Sequence, residues 1–317
     1  MRFLAILIVS CLALLGCKET PVNVPEKAQP LQVGAVNYQA YVPELKGKRV
    51  GLVVNQTSEI NGQHLVDFLL EKGVVVRKIF APEHGFRGDH DAGAHVKSTV
   101  DAKTGIDVVS IYGSNKKPNP EALADLDVII FDIQDVGVRF YTYISSMHYM
   151  MEAAAENGKA FIVLDRPNPN IAYVDGPILD PKFRSFVGMH EIPVLHGMTV
   201  AELAQMIKGE GWINNAAELQ LSVVPVANYK RTMTYDLPVK PSPNLPNAQS
   251  IQLYPSLCFF EATPITFGRG TDFPFQVVGY SPVKLGEFSF TPRAIKGASM
   301  NPKFKDVEVF GQDLRDS

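Results

Sequence analysis

Five short apolar runs rich in β-branched residues recur in the first half of the chain, with stretches of helical spacing between them. They cover residues 49–54, 74–80, 107–112, 127–131 and 159–164. Short runs without a polar face are typical of strands buried on both sides, which occur in parallel sheets covered by helices. The alternation predicts an α/β fold with a Rossmann-like, mostly parallel sheet and helices on both faces.

The segments between and after these runs carry helix signals. Leu65, Phe68 and Leu69 recur at helical spacing before Gly73, residues 118–123 predict a short helix, and a long helix ends near Gly158. Further on, Thr199 and Glu202 stand at the positions of a capping box, and residues 219–224 predict another strand. No G-x-G-x-x-G follows the first strand and no G-x-x-x-x-G-K-S/T occurs, so we expect no nucleotide cofactor.

Prolines become frequent after residue 225, which favours extended and turn structure over helix. We therefore place a domain boundary there. The prediction is a Rossmann-like domain over residues 45–225 and a smaller α/β domain over residues 226–317.

The N-terminus has the pattern of an export signal. Met1-Arg2 is followed by an apolar stretch that is too short to span a membrane, and Leu14-Leu15-Gly16-Cys17 resembles a bacterial lipobox. The resemblance implies cleavage before Cys17, acylation of its thiol and export to the cell envelope. Residues 18–44 are polar and contain prolines, so they predict a tether between the lipid anchor and the folded body.

Charge and cysteine content exclude some classes of protein. The net charge is −3 and the basic residues are scattered, which argues against a nucleic-acid partner. Of the three cysteines, Cys11 lies in the signal and Cys17 carries lipid, so Cys258 is alone and forms no internal disulfide. Among apolar neighbours, it is expected to be a buried, inert thiol.

Polar side chains follow each predicted strand at its carboxyl end, where parallel sheets bind ligands. They are Asn55, Glu83, Tyr112, Asp132 and Asp165. The densest stretch is 80–88, Phe-Ala-Pro-Glu-His-Gly-Phe-Arg-Gly, in which Glu83, His84 and Arg87 lie between turn-forming residues. Chemistry is therefore expected at Glu83.

Three kinds of function fit these residues. A glycosidase needs a protonated carboxylic acid, for which Glu83 is the candidate, and a second carboxylate, for which Asp132, Asp135 and Asp165 are candidates. A metal-dependent hydrolase would use the His- and Asp-rich run of His84, Asp89, His90, Asp91 and His95, although its spacing matches no named zinc motif. A lipid-anchored saccharide-binding protein would also use a polar rim.

Four motifs in order carry a family resemblance. They are residues 80–88, residues 132–143 (Asp-Ile-Gln-Asp-Val-Gly-Val-Arg-Phe-Tyr-Thr-Tyr), residues 165–169 (Asp-Arg-Pro-Asn-Pro) and residues 268–271 (Gly-Arg-Gly-Thr). In this order they resemble the exo-β-N-acetylmuramidases of the NamZ type, glycoside hydrolase family 171. The resemblance implies a Rossmann-like domain, a smaller second domain, a cleft between them, and release of N-acetylmuramic acid from non-reducing ends of peptidoglycan fragments.

The resemblance also implies roles for particular residues. Glu83 takes the place of the family's proposed catalytic glutamate, and no metal or cofactor is implied. Arg139, Arg166 and Arg269 are candidates for the substrate carboxylate, because a guanidinium can bond both of its oxygens. The remaining predicted substrate contacts are Asn55, His84, Arg87, Asp135, Tyr141 and Asn168. Similar proteins continue beyond the position of Ser317, so part of the small domain is expected to be missing.

Overall fold

A seven-stranded sheet forms the centre of the structure, a computed structural model that describes residues 30–86 and 99–317. In the described residues the strands are β1 (Arg49–Val54), β2 (Glu59–Ile60), β3 (Gln63–His64), β4 (Val75–Ala81), β5 (Thr99–Val100), β6 (Asp107–Ser110), β7 (Val128–Asp132), β8 (Ala160–Leu164), β9 (Val174–Asp175), β10 (Leu195–His196), β11 (Leu221–Val224), β12 (Val277–Tyr280), β13 (Phe288–Phe290) and β14 (Val309–Asp313). The α-helices there are α1 (Leu65–Glu71), α2 (Pro120–Leu123), α3 (Tyr143–Glu156), α4 (Val200–Gly209) and α5 (Ala248–Leu257).

The large sheet has the strand order β11-β8-β7-β1-β4-β6-β5. All neighbours pair in parallel except the short edge strand β5, which is antiparallel to β6. From β1 the chain builds outward to β4 and β6, then returns to the other side of β1 with β7, β8 and β11. This reversal is the doubly wound arrangement of a Rossmann-like fold, and it confirms the predicted fold class.

The predicted strands and helices correspond closely to the observed ones. Strand β1 has the predicted bounds, β4 and β7 are displaced by one residue, and β6 ends at Ser110, two residues earlier than predicted. Helix α4 begins with the predicted capping box, in which Thr199 accepts from the Glu202 N–H and Glu202 accepts from the Thr199 N–H. These features are local, so the sequence signals them directly.

Helix α5 lies in the proline-rich segment, where the composition favoured extended and turn structure, so the prediction was wrong there. Asn247 caps the helix, which starts it firmly. Pro255 lies in its last turn and cannot donate to the Ile251 carbonyl, a bond that a helix otherwise makes. Instead, the Asn170 side-chain amide donates to that carbonyl from a distant part of the chain, at 3.4 Å.

A second, smaller sheet follows α5, with the antiparallel order β12-β14-β13. Residues 31–317 nevertheless form one compact unit, and the largest apolar core joins helix α3 to Tyr254, Phe267 and Phe275. The predicted boundary at residue 225 stays a prediction. Among the described residues, no helix has the length and apolar composition needed to cross a bilayer.

Two buried acidic residues at the carboxyl ends of β7 and β8 have structural partners. Asp132 is fully buried and accepts two hydrogen bonds from the Arg166 guanidinium, at 2.6 and 2.9 Å. Asp165 accepts from the Ala201 N–H in the first turn of α4, at 3.0 Å. Burial raises the pKa of Asp165 to about 6 despite this bond.

The raised pKa of Asp165 predicts a pH-dependent cost of folding. The folded state binds more protons than the unfolded state between about pH 4 and pH 6, so stability falls as the pH rises through this interval. The loss should be about 2–4 kcal/mol, since one pKa unit corresponds to about 1.4 kcal/mol. Urea unfolding of wild type and Asp165→Asn at pH 4 and pH 7 measures it, because the neutral amide removes the titration.

The informative quantity is the change in unfolding free energy with pH, compared between the two proteins. Absolute stability is less informative, because the new amide group adds donors in a buried place. Asp236→Asn, at an exposed position, is the matched control and should leave the pH profile unchanged. An Asp165→Asn profile parallel to wild type would contradict the assignment.

Candidate active site

A cavity of about 880 Å³ lies above the carboxyl ends of β4 and β6 and beside the first turn of α3. One side is built from residues between 83 and 187, and the other from residues between 242 and 301. Its polar lining includes Glu83, His84, Tyr112, Thr142, Ser242, Asn244, Glu261, Arg269, Ser299 and Asn301. A cavity of this size accommodates a ligand larger than a single sugar.

Glu83 lies in the turn that follows β4, and hydroxyl groups from two other elements hold its carboxyl. The Tyr112 hydroxyl, just past β6, donates to Oε1 at 2.9 Å, and Thr142 Oγ1, at the start of α3, donates to Oε2 at 3.1 Å. Phe80 and Phe86, which come before and after this turn in the chain, are buried. His84, the next residue, has a positive φ of 69°, which turns the chain sharply at this point.

Thr142 is the N-cap residue of α3, yet its side chain makes no capping hydrogen bond. A threonine in this position ordinarily accepts from a backbone N–H of the first turn. Here the hydroxyl is directed to Glu83 instead. Thr142 therefore contributes a side-chain contact to the Glu83 carboxyl and none to the helix cap.

Hydroxyl partners suit a carboxyl group that changes its protonation state. A tyrosine or threonine hydroxyl can donate to a carboxylate and can also accept from a protonated carboxylic acid. Burial, and then the charge of Glu83, raise the pKa of Tyr112 well above its ordinary value, so Tyr112 keeps its proton. The geometry around Glu83 can therefore persist before and after a proton transfer.

An aromatic wall extends from beside Glu83 to the mouth of the cavity. Its rings are Tyr143, Tyr141, Tyr254, Phe140 and Phe259, and successive ring centroids lie 5.0–5.8 Å apart with edge-to-face packing. Tyr143 is buried, whereas Phe259 is 59% exposed. The wall gives the cavity an apolar side, of which Phe259 is the exposed end.

Arg269 and Glu261 form an ion pair on the other side of the cavity. Arg269 Nη2 lies 2.8 Å from Glu261 Oε1, and the guanidinium also lies over the rings of Phe267 and Phe275. About a quarter of the Arg269 side chain and 44% of the Glu261 side chain remain exposed. Both charged groups can therefore be reached by a ligand.

The structure brings four of the predicted site residues to this cavity: Glu83, His84, Tyr141 and Arg269. The predicted rim is present, because Asn55, Glu83, Tyr112, Asp132 and Asp165 all lie at or just past the carboxyl ends of strands. Of these five, Glu83 and Tyr112 line the cavity. Asp132 and Asp165, the predicted second carboxylates, are not among the lining residues and have the structural partners described above.

The other predicted contacts are also absent from the cavity lining and bond within the protein. Asp135 accepts from the Gly137 N–H, and the Asn55 side chain accepts from Thr57. Asn168 bonds its own loop and Met198, Arg166 holds Asp132, and Arg139 donates to the carbonyls of Pro177 and Ile192. Their substrate-binding roles therefore stay predictions, without support from this geometry.

Some predicted residues lie outside the described part of the chain. They are Arg87 and Cys17, together with Asp89, His90, Asp91 and His95 of the metal alternative. Cys258 lines the cavity, and burial followed by the charge of Glu261 raises the pKa of its thiol to about 12. It is therefore a neutral thiol at ordinary pH.

Sequence reasoning missed Thr142, Glu261 and the polar residues Ser242, Asn244, Ser299 and Asn301. Thr142 lies inside a motif that was singled out, so its place in the chain was a usable signal. Glu261 lies eight residues before Arg269, beyond the end of α5. Its only sequence signal is a charge among the aromatic residues that surround it.

Comparisons with known proteins agree with this architecture. Residues 50–249 match the family profile described as exo-beta-N-acetylmuramidase NamZ, N-terminal, and residues 252–316 match its C-terminal counterpart. The peptidoglycan beta-N-acetylmuramidase NamZ of Bacillus subtilis is 45% identical over 278 residues, an alignment that includes 83% of this chain. The chain spans 66% of the length of that relative.

Two crystal structures of DUF1343 family proteins from Bacteroides fragilis share the fold. For one, the TM-score is 0.84 and the identity 45%, and the alignment covers 91% of this chain and 78% of the Bacteroides chain. For the other, the TM-score is 0.77 and the identity 32%, and the alignment covers 90% of this chain and 77% of the Bacteroides chain. With both profiles matched in order over residues 50–316, the chain belongs to the exo-β-N-acetylmuramidase NamZ family.

Proposed function

We propose that this protein is a glycoside hydrolase that releases N-acetylmuramic acid from the non-reducing ends of peptidoglycan fragments. The observation that carries the proposal is the Glu83 carboxyl, held by Tyr112 and Thr142 within a cavity of about 880 Å³ that has an aromatic wall. Family membership and the activity for which the Bacillus subtilis relative is named support the same function. Its role would be in turnover or recycling of the cell wall.

Glu83 acts in this proposal as the general acid. It gives its proton to the glycosidic oxygen as the bond to the anomeric carbon breaks, so the shortened fragment leaves as a neutral alcohol. Tyr112 and Thr142 hold the carboxyl in place during this transfer, because their hydroxyls can bond either protonation state.

Arg269 supplies selectivity for the terminal sugar. N-Acetylmuramic acid differs from N-acetylglucosamine by a lactyl ether that ends in a carboxylate, and a guanidinium in the cavity can bond both carboxylate oxygens. Arg269 Nη2 bonds Glu261, and because the guanidinium stacks on Phe267 and Phe275 by its face, its other in-plane N–H groups remain available. The aromatic wall, with Tyr141 in its middle, packs against the sugar rings.

We also propose that the protein works at the bacterial cell envelope, anchored by lipid on Cys17. The support is the lipobox pattern at residues 14–17, the apolar stretch before it and the polar, proline-containing tether after it. A tether of this kind lets the enzyme reach fragments near the membrane.

The role of Glu83 predicts an activity loss that depends on the leaving group. Glu83→Gln should lower kcat about 10²–10⁴-fold on a disaccharide of N-acetylmuramic acid and N-acetylglucosamine, a range typical of general acids. The loss should be smaller on a 4-nitrophenyl N-acetylmuramide, since nitrophenolate leaves without protonation. Product separation by chromatography and nitrophenol absorbance give the two rates.

The matched control is Glu210→Gln, at an exposed position at the end of α4, which should have wild-type rates. Unchanged circular dichroism of Glu83→Gln shows that the fold is intact. Near-normal turnover of the disaccharide by Glu83→Gln would exclude the assignment. Disaccharide recovered intact from wild type would favour a saccharide-binding protein, and loss of activity with a chelator would favour the metal alternative.

The role of Arg269 predicts a change in selectivity. Arg269→Ala should raise KM for a 4-nitrophenyl N-acetylmuramide at least tenfold, because the substrate carboxylate loses its partner. The same substrate with its lactyl carboxylate converted to a methyl ester should be affected much less. Equal changes in KM for acid and ester would show that Arg269 does not bind the carboxylate.

The anchor predicts lipidation at one cysteine. The full chain expressed in a bacterium with labelled palmitate should carry the label and sediment with membranes, whereas Cys17→Ala should do neither. Cys11→Ala is the matched control, since it changes a cysteine before the cleavage site. Labelling that persists in Cys17→Ala would exclude the proposed site.

A further inference from the structure

We infer that Glu261 is the second catalytic carboxylate, acting as the general base on water. The inference rests on the proposed function, because it assigns a role in the same reaction and the same cavity. The geometry points to Glu261 first by its location. In the part of the chain that the structure describes, Glu83 and Glu261 are the two carboxylates that line the cavity.

The other acidic residues considered for this role are committed to the fold. Asp132 is fully buried against Arg166, and Asp165 holds the first turn of α4. Asp135 is also buried, and its carboxylate accepts from the Gly137 N–H in its own loop. A carboxylate that activates water has to be reachable from the substrate, and 44% of the Glu261 side chain is exposed.

The Glu261 carboxyl is oriented by a charged partner. Its Oε1 lies 2.8 Å from the Arg269 guanidinium. The Glu83 carboxyl accepts from the hydroxyls of Tyr112 and Thr142, across the cavity from this ion pair. A glycosidase uses two such carboxyl groups, one as the acid and one as the base.

The backbone that carries Glu261 is held in place from a distance. Glu261 lies in a short 3-10 helix, Cys258–Ala262, which ends with the Thr263 N–H donating to the Phe260 carbonyl. The Lys303 ammonium lies within hydrogen-bonding distance of four carbonyl oxygens there, and its three N–H groups are shared among those of Phe260, Glu261, Thr263 and Ile265. These hydrogen bonds hold the backbone at Glu261 in one position, so its side chain is placed before the substrate binds.

Water can reach Glu261 from the side. A second cavity of about 200 Å³ shares Glu261, Arg269, Ser299 and Asn301 with the large one, and its lining is mixed polar and apolar. This volume holds several water molecules, which have hydrogen-bonding partners there. With substrate in the large cavity, the small one would hold the water that attacks.

In the proposed step, water attacks the anomeric carbon while Glu261 and Glu83 each transfer one proton. Glu261 takes a proton from water while the water oxygen forms a bond to the anomeric carbon. The bond from that carbon to the glycosidic oxygen breaks, and its electron pair leaves with the oxygen, which takes the proton of Glu83. Solvent exchange then returns a proton to Glu83 and removes one from Glu261. Attack from the face opposite the leaving group turns a β-glycoside into the α-sugar.

The test uses two variants and two substrates. Glu261→Gln keeps an oxygen that accepts from Arg269 but cannot take a proton, so kcat should fall about 10²–10⁴-fold with KM within about threefold of wild type. The loss should be the same on the 4-nitrophenyl glycoside and on the disaccharide, because base catalysis does not depend on the leaving group. This pattern separates Glu261 from Glu83.

Chemical rescue excludes a merely structural role. Glu261→Ala should regain at least tenfold activity in azide and form the α-glycosyl azide, since azide attacks without a base. Proton magnetic resonance of the wild-type reaction should show α-N-acetylmuramic acid as the first product. A nearly active Glu261→Gln, a failed rescue, or the β-anomer as first product would each overturn the inference. Wild type without any hydrolysis would instead overturn the proposed function.

Discussion

The burial of the parallel sheet on both faces is the constraint on which the rest of the structure depends. Strands β1, β7 and β8 are almost wholly buried, so polar side chains are accommodated only at the ends of these strands. A charge at such an end costs several kcal/mol unless it is paired and hydrogen-bonded. Asp132 and Arg166, whose side chains are 0% and 5% exposed, pair with each other. The Ser58 hydroxyl donates to the Asp132 backbone carbonyl.

This constraint divides the polar rim into two parts. Over β1, β7 and β8 the polar groups bond one another and the backbone, so they fix the loops. Over β4 and β6 the Tyr112 and Thr142 hydroxyls donate to Glu83, which lines the cavity. Acids that fix the loops and an acid that faces the cavity therefore lie on the same edge of the sheet.

The sequence predicted the local part of this arrangement. Buried strands, the Thr199 capping box and the placement of Glu83 just past β4 depend on residues that are close in the chain. Which of Glu83 and Asp132 is accessible does not depend on neighbouring residues, because both follow an apolar strand in the same way. It depends on distant partners, namely Arg166, 34 residues after Asp132, and Thr142, 59 residues after Glu83. Helix α5 was missed for the same reason, since Asn170 bonds its free carbonyl.

The position of Glu261 follows from the same non-local packing. Tyr254 in α5 packs against Tyr141 and Phe140 at the start of α3, which brings the 3-10 helix after α5 to the cavity. Phe275, in the turn before β12, packs on Tyr254 and supports the Arg269 guanidinium. The aromatic wall thus joins the segment before α3, which lies beside Glu83, to the segment that carries Glu261. Under the proposed function, the separation of the two carboxyl groups distinguishes inverting from retaining glycosidases, and this separation depends on the packing of the wall.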